Sequence, residues 1–272
     1  MAALRSLIRI VLLLGAGYAL NRFSWRSGAR DSEAFGSLPG DDIVPHPMLE
    51  WTRATTIHAA PDRIWPWLVQ MGYGRGGWYT NERVDRLIWG VSARNANRVL
   101  PQFQRLEVGD IVADGPDYAA YFHVRHVHPE RAIVYHSIRH PRTGHPVDPA
   151  NRSAVEALER RLVDGGVYLV FSWAFILVPD APESTRLIIR TRADYSPAAI
   201  GWLRIPLGYV DVFHAHTILR SIKRRAEATG RAAARVASRG QYHRRPGRWS
   251  TWRHDGLRRN IGITHPLPAR RA

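Results

Sequence analysis

The stretch Thr52–Tyr79, TRATTIHAAPDRIWPWLVQMGYGRGGWY, decides how the rest of the chain is read. Thr52, Thr55, Thr56 and Ile57 favour an extended backbone, because branched side chains pack well on a pleated surface. Pro61 suits the first turn of a helix, where its missing N–H would be unpaired anyway. Ile64, Trp67, Leu68 and Met71 recur at i, i+3, i+4 and i+7, so one apolar face runs to Met71 and Gly72 supplies the stop. Pro66 falls in the second turn and distorts it slightly. The expected opening unit is a strand, a helix and a glycine loop ending in two exposed aromatics, Trp78 and Tyr79.

Composition bounds what this unit belongs to. The 272 residues are 45% hydrophobic and include 10 Trp, enough for the core of one large domain or two small ones and too apolar for a disordered chain. The net charge of +16 is uneven, since residues 231–272 hold 11 Arg against one Asp and the body is only mildly basic. Lys223 is the one lysine among 39 basic residues, a bias that points to gene base composition rather than to selected phosphate binding. A generic basic surface gives only weak, salt-sensitive polyanion binding, and a nucleic-acid partner is not favoured. With no cysteine, disulfides, thiolate nucleophiles and cysteine-ligated zinc are excluded.

Ile10–Leu20, IVLLLGAGYAL, is an uncharged run that is short for a membrane span, which needs about 20 apolar residues. Arg9 can snorkel, and Phe23 and Trp25 suit an interface, so residues 1–26 read as a single membrane anchor. A cleaved signal is one alternative, with Arg5 and Arg9 as its basic start and Gly17-Tyr18-Ala19 as a small-x-small site, and a peripheral helix or a plain N-terminal core helix is the other. Arginines on both flanks leave the orientation open. Residues 27–48 read as a linker punctuated by Gly36, Pro39, Gly40, Pro45 and Pro47.

The body continues with a short helix over Glu82–Trp89, its apolar side formed by Val84, Leu87 and Ile88. From Val108 the pattern turns to period two. Strands are expected near 110–114, 118–127, 132–138, 167–179 and 185–195, joined by Gly115-Pro116-Asp117, Pro129-Glu130-Arg131 and Pro179-Asp180-Ala181-Pro182. Such short links favour an antiparallel meander. Residues 140–166 form an insertion whose 149–163 core, with Val155, Leu158 and Leu162, reads as a helix stopped by Gly165-Gly166. A last helix is expected from about Ile205 to Thr229, with Gly208, Val212, Ala215, Leu219, Ile222 and Ala226 on a narrow stripe and Phe213 and His216 flanking it. Residues 231–272 are an Arg-rich tail too polar to bury a core.

Candidate chemistry is sparse. Val167, Leu169, Phe171, Trp173, Phe175 and Leu177 share one face of a strand, and Phe171, Trp173 and Phe175 read either as a ligand wall or as ordinary core. In the next strand Leu187, Ile189, Thr191, Ala193 and Tyr195 share a face that could line a cavity, and Arg186, Arg190, Arg192 and Asp194 fall on the opposite face, expected in solvent. Tyr121, His123 and Arg125 alternate on one face, so Tyr121 and His123 are weak acid–base candidates, although Phe122 and Val124 look more core-like. Asp211 and His214 are helix neighbours, but His216 is two residues from His214 and cannot complete a metal set. His216 reads as a core or pocket histidine. The glycines at 72, 74, 76 and 77 follow a helix and lack Gly-Lys-Ser/Thr, which excludes a phosphate-cradling loop and leaves a flexible turn. There is no Gly-x-Ser-x-Gly elbow, and neither a metal nor a cofactor is expected.

The order of elements, a strand, two short helices, a run of antiparallel strands and one long helix, is that of the helix-grip fold. The 52–79 phrase, with LPGDDIVPHP (38–47), LEVGDIV (106–112), FSWAFILVP (171–179), TRLIIRTR (185–192) and LRSIKRRAE (219–227), resembles the SRPBCC superfamily of START-like and polyketide cyclase/dehydrase-like proteins, most of all its bacterial membrane-anchored members. The resemblance covers 38 to about 229 and leaves out the 140–166 insertion and the tail. It implies an α+β domain over 49–230, a curved antiparallel sheet of six or seven strands around a long C-terminal helix, enclosing an apolar cavity. Trp78 and Tyr79 would border its entrance, and Trp78, Tyr79, Tyr121, His123, Phe171, Trp173, Phe175 and His216 are the ligand-contact candidates. The expected activity is that of a membrane-tethered, non-enzymatic binder or carrier of an apolar small molecule or lipid. One alternative is a polyketide cyclase/dehydrase-like enzyme using Tyr121 and His123. Another gives the basic tail contacts with anionic lipid or nucleic acid.

Overall fold

The computed structural model describes residues 15, 17, 25–197 and 211–229. The chain divides into residues 1–234 and a separate unit, 235–272. Apart from Gly15 and Gly17, the Ile10–Leu20 run lies outside the described residues, as do the start of the expected last helix (205–210) and the tail. Among the described residues no helix is long and apolar enough to cross a membrane.

Six strands form one antiparallel sheet: β1 (Leu49–Ile57), β2 (Ile111–Ala113), β3 (Tyr121–His128), β4 (Ala132–Arg139), β5 (Tyr168–Ala181) and β6 (Ser184–Ser196). Their spatial order is β1-β6-β5-β4-β3-β2, so consecutive strands pair except where β6 returns to β1. Each pairing is antiparallel. The helices are α1 (Asp31–Phe35), α2 (Pro61–Val69), α3 (Glu82–Trp89), α4 (Arg152–Asp164) and α5 over residues 211–229.

Local chemistry sets these boundaries. Asn81 Oδ1 accepts from the backbone N–H of Arg83 and Val84 at the start of α3, and Gly90, at φ 74°, ends it. Asn151 caps α4 by accepting from Ala154 N–H at 3.1 Å, and Gly165 follows its last residue. The α2 helix stops at Val69, two residues short of the expected end. There the Arg75 guanidinium reaches back to the carbonyls of Val69 and Met71, so the glycine loop is tied down where a flexible turn was expected.

Alternation along the strands divides the sheet into two faces. Ile57, Phe122, Val124, Ile133, Tyr135, Phe175, Leu177, Leu187 and Ile189 share the inner face with Ile64, Trp67 and Leu68 of α2 and with Ala215, Ile218, Leu219 and Ile222 of α5. Each large aliphatic buried there stabilises the fold by about 1.5–3 kcal/mol. On the outer face, Ala54, Ala132, Val134, Ala174, Ile176 and Ile188 pack against Ala29, Leu38 and Ile43.

That outer packing corrects two expectations. The stretch read as a linker lies against the sheet, and Arg186 and Arg190 are buried rather than solvated. Arg186 Nε and Nη2 donate to the two carboxylate oxygens of Glu33 at 2.8 and 2.7 Å, and Nη2 also donates to the Gly28 carbonyl. Arg190 donates to Thr52, to the carbonyls of Glu33, Ala34 and Gly36, and to Asp41. Arg192 pairs with Asp41 and Glu50. A planar guanidinium satisfies this many acceptors at once, which an ammonium does not. Burial alone would raise the Glu33 carboxyl, but the Arg186 hydrogen bonds, the Arg30 N–H and both arginine charges hold it below its usual value.

Candidate functional site

Several of the buried polar groups without a hydrogen-bond partner among the described residues lie along one rung of the inner face. Tyr135 of β4 is the cross-strand partner of Trp173 of β5, Trp173 of Thr191 of β6, and Thr191 of Trp51 of β1. Odd positions of β1, β4, β5 and β6 share the inner face, so these four side chains stand side by side. Tyr135 is fully buried, and Trp51 and Thr191 nearly so. Among the described residues the Tyr135 hydroxyl, the Thr191 Oγ1 and the Trp51 Nε1 have no hydrogen-bond partner. Trp78 Nε1, above the rung, is in the same condition. Its ring lies 5.8 Å from that of Tyr135 and 5.4 Å from that of Trp173. Trp67 Nε1 is also unpartnered, further off and edge-on to Tyr79.

Such a cluster is expensive for a structure to keep empty-handed. A buried donor without an acceptor costs about 1–3 kcal/mol, and indole N–H groups can only donate. Four such groups on an aromatic floor therefore make a surface that is apolar in shape and short of acceptors. Burial pushes the Tyr135 phenol above its ordinary value, keeping it protonated and able to donate.

Phe122, Phe171, Trp173 and Phe175 extend the floor, with Phe122–Phe171 at 5.4 Å and Trp173–Phe175 at 4.8 Å. Phe171 and Trp173 are only partly buried, and Phe171 packs against both the main core and the smaller Leu49–Trp51–Ala193 cluster. At one end the Arg139 guanidinium lies 4.9 Å from both the Phe122 and Phe171 rings and pairs with Asp114 at 2.7 Å. At the other, buried Arg53 pairs with Asp211 of α5. Burial pulls the Arg53 guanidinium below its ordinary value and lifts the Asp211 carboxyl above its own, each opposed by the partner's charge.

Trp78 and Tyr79 do not stand exposed at an entrance. Both are buried, Tyr79 completely. Gly77 (φ 78°) turns the chain inward against Arg94 and Asn95, where a Cβ would meet backbone and side-chain atoms within 3 Å, and Asn95 Oδ1 accepts from Tyr79 N–H. Tyr79 OH accepts from Gln70 Nε2 at 2.8 Å, and the Arg225 guanidinium sits 4.7 Å over its ring. Burial lifts its phenol to about 12. Trp78 faces the rung; Tyr79 is held by protein partners.

Tyr121 and His123 lie on the outer face, because Phe122 and Val124 take the inner positions. The insertion helix covers them there: Glu159 accepts from Tyr121 OH at 3.1 Å, and His123 Nε2 lies 2.7 Å from the same oxygen. Burial first, then the Glu159 carboxylate, raise the Tyr121 phenol. His136, the cross-strand partner of His123, is driven down to about 4 by burial and by the charges of Arg125 and His123. The sheet thus separates this cluster from the aromatic rung.

His216 lies 2.7 Å from Ser27 Oγ, and burial lowers its imidazole. His214 pairs with Asp85 of α3 at 2.8 Å, so Asp211, His214 and His216 point to three different partners. Among the described residues no group of His, Asp or Glu could hold a metal ion. Tyr135, Thr191, Trp51, Trp78 and Trp173 come together; strand alternation places Thr191 on a cavity-lining face, Trp78 and Trp173 are ligand-contact candidates, and Tyr135 and Trp51 are the two that sequence reasoning passed over. Tyr135 and Thr191 sit in phase with recognised inner residues, and that phase was the available signal.

No protein-family model matches the chain, and none of the curated proteins is detectably similar to it. Among solved structures it is similar to a protein from Mesorhizobium loti, 14% identical over 66% of this chain and 98% of that one, with a TM-score of 0.33. A conserved protein from Geobacillus kaustophilus is 10% identical over 66% of this chain and 97% of that one, with a TM-score of 0.35. A protein from Arthrobacter aurescens is 13% identical over 64% and 86%, with a TM-score of 0.35.

Proposed function

We propose that this chain is an SRPBCC-like, helix-grip binding domain that holds an apolar small molecule or lipid against the inner face of its sheet, tethered to a membrane through residues 1–26. One observation carries the reading. Tyr135 OH, Thr191 Oγ1, Trp51 Nε1 and Trp78 Nε1 are buried around one aromatic rung without hydrogen-bond partners among the described residues. An apolar body with one or more acceptor oxygens complements that surface, because its hydrocarbon part displaces water from the rings while its oxygens answer the orphaned donors. A carrier role fits better than an enzymatic one. The residues on which the cyclase/dehydrase alternative relies, Tyr121 and His123, are engaged by Glu159 on the other face.

Gentle purification of the full chain followed by native mass spectrometry tests the binding reading. A discrete co-purified organic mass, lost when Trp173 is replaced by Ala, is the expected result. A protein that is free of bound mass and takes up nothing from a panel of lipids and aromatic ketones would overturn it.

A further inference from the structure

The aromatic rung also limits what its ligand can be. Tyr135 and Thr191 stand on either side of Trp173, two strands and therefore about 10 Å apart across the sheet. Trp51 continues the rung beyond Thr191. Trp78 lies at the Tyr135 end, its ring 5.8 Å from that of Tyr135 and 5.3 Å from that of Phe122. The buried groups without partners among the described residues thus form two pairs, Trp51 Nε1 with Thr191 Oγ1 and Trp78 Nε1 with Tyr135 OH, with Trp173 between them.

The rung is approached from one end of the sheet. Along the inner face of β5, Leu169, Phe171 and Trp173 are partly exposed, whereas Phe175 and Leu177 are buried. Because β5 is an interior strand, that exposure opens onto the inner face and stops at the rung. Charge narrows the ligand class further. Arg53, one rung deeper beside Ile189, pairs with Asp211, and Arg139, two rungs towards the open end beside Leu169, pairs with Asp114. Each of these cations therefore has its own carboxylate. A carboxylate or phosphate seated on the rung would have only neutral donors to offset its desolvation, which costs far more than burying a carbonyl.

We propose that the ligand is a neutral, flat molecule with an acceptor oxygen at each end, its body on Trp173 and its oxygens answered by the Trp51–Thr191 and Trp78–Tyr135 pairs. A single-headed lipid satisfies one pair and leaves the other orphaned. A rigid ring system stacks on the indole and holds both oxygens at the required spacing without the ordering cost of a flexible chain. The inference rests on the binding function proposed above and adds to it the number, spacing and charge of the ligand's polar groups.

Three probes with one apolar body test it by calorimetric titration of the full chain: para,para′-diacetylbiphenyl, para-acetylbiphenyl and biphenyl-para-carboxylate. The diketone should bind several-fold more tightly than the monoketone, and the carboxylate at neutral pH about tenfold more weakly than the monoketone or worse. The near-isosteric Tyr135→Phe and Thr191→Val should each bring the diketone down to the affinity of the monoketone. The monoketone can turn end for end, so either substitution alone should cost it little and both together several-fold. Equal affinities for diketone and monoketone, a carboxylate that binds as well as the monoketone, or a diketone indifferent to both substitutions would overturn the two-ended neutral ligand and leave the binding function standing. A chain that retains a lipid but takes up none of the probes would do the same. A chain that takes up neither probe nor lipid would overturn both.

Discussion

Tyr135 and Thr191 flank Trp173 in a single cross-strand rung, and neither of their hydroxyls has a hydrogen-bond partner among the described residues. A fold that needed these positions only for packing would lose nothing by carrying Phe and Val there. Tyr135→Phe is therefore expected to leave the thermal midpoint of the ligand-free protein unchanged or raised, while weakening retention of bound ligand by several-fold or more. Calorimetric melting and ligand binding on the same preparation check both halves. A fall in stability of more than about 1 kcal/mol would mean that the hydroxyl has a structural partner.

Arg190 is the strongest point of the outer face. Its donors reach Thr52, Asp41 and three backbone carbonyls, and Lys replaces them with one rotating ammonium. Arg190→Lys should destabilise the protein by about 3 kcal/mol, measured by denaturant unfolding. Glu33→Gln should cost a comparable amount, because it leaves the Arg186 guanidinium buried without its counter-charge. A loss below about 0.5 kcal/mol at both sites would place residues 27–47 off the sheet in solution.

Gly40 tests the same packing without changing a charge. Its φ is 92°, and an added Cβ would sit 2.5 Å from Val134 Cγ1. Gly40→Ala should destabilise by about 2–4 kcal/mol, and adding Val134→Ala should recover only the steric share, since the backbone strain remains. Chemical denaturation of the two single variants and the double separates these contributions.

Much of the architecture was legible because its signals are local. Period-two runs bounded by Gly-Pro-Asp and Pro-Glu-Arg turns located the strands to within a few residues, α3 has the expected bounds Glu82–Trp89, and Gly165 follows α4 where the sequence placed a stop. The site was less legible because facing is not local. Alternation alone gives a strand two faces, and whether Tyr121 and His123 or Phe122 and Val124 turn inward depends on packing across the sheet and on the bulge between Val124 and His126. Arg186 and Arg190 looked solvated because the covering residues lie about 150 positions earlier. Leu87 was placed on the packed side of α3, yet Asp85 takes that side because His214 meets it there.

The outer-face cluster makes a pH prediction. An unfolded histidine takes up its proton near 6.5, whereas burial and the neighbouring Arg125 and His123 hold His136 down to about 4. Between these values the unfolded state binds more protons. The contribution of neutral His136 is therefore fully present above pH about 6.5 and is lost as pH falls towards 4, roughly 3 kcal/mol in total. Melting curves should show the wild type losing stability relative to His136→Gln as pH falls across that window; parallel curves would show that His136 titrates normally.

Glu159 is the anchor of the insertion helix, since one carboxylate oxygen holds both Tyr121 and His123. Glu159→Ala should raise amide exchange across residues 152–164 by an order of magnitude or more while leaving β5 and β6 protected. Equal protection of α4 in both proteins would show that Val155 and its apolar neighbours hold the helix unaided.

The most direct measurement is the mass of what the inner face holds. Native mass spectrometry of the full chain, wild type against Trp173→Ala and Tyr135→Phe, should give one predominant bound organic mass in the wild type, absent from Trp173→Ala and reduced in Tyr135→Phe. A wild-type protein free of bound mass that accepts no lipid or ketone, or a bound mass indifferent to both substitutions, would contradict the assignment of the Tyr135–Trp173–Thr191–Trp51 rung as a ligand site.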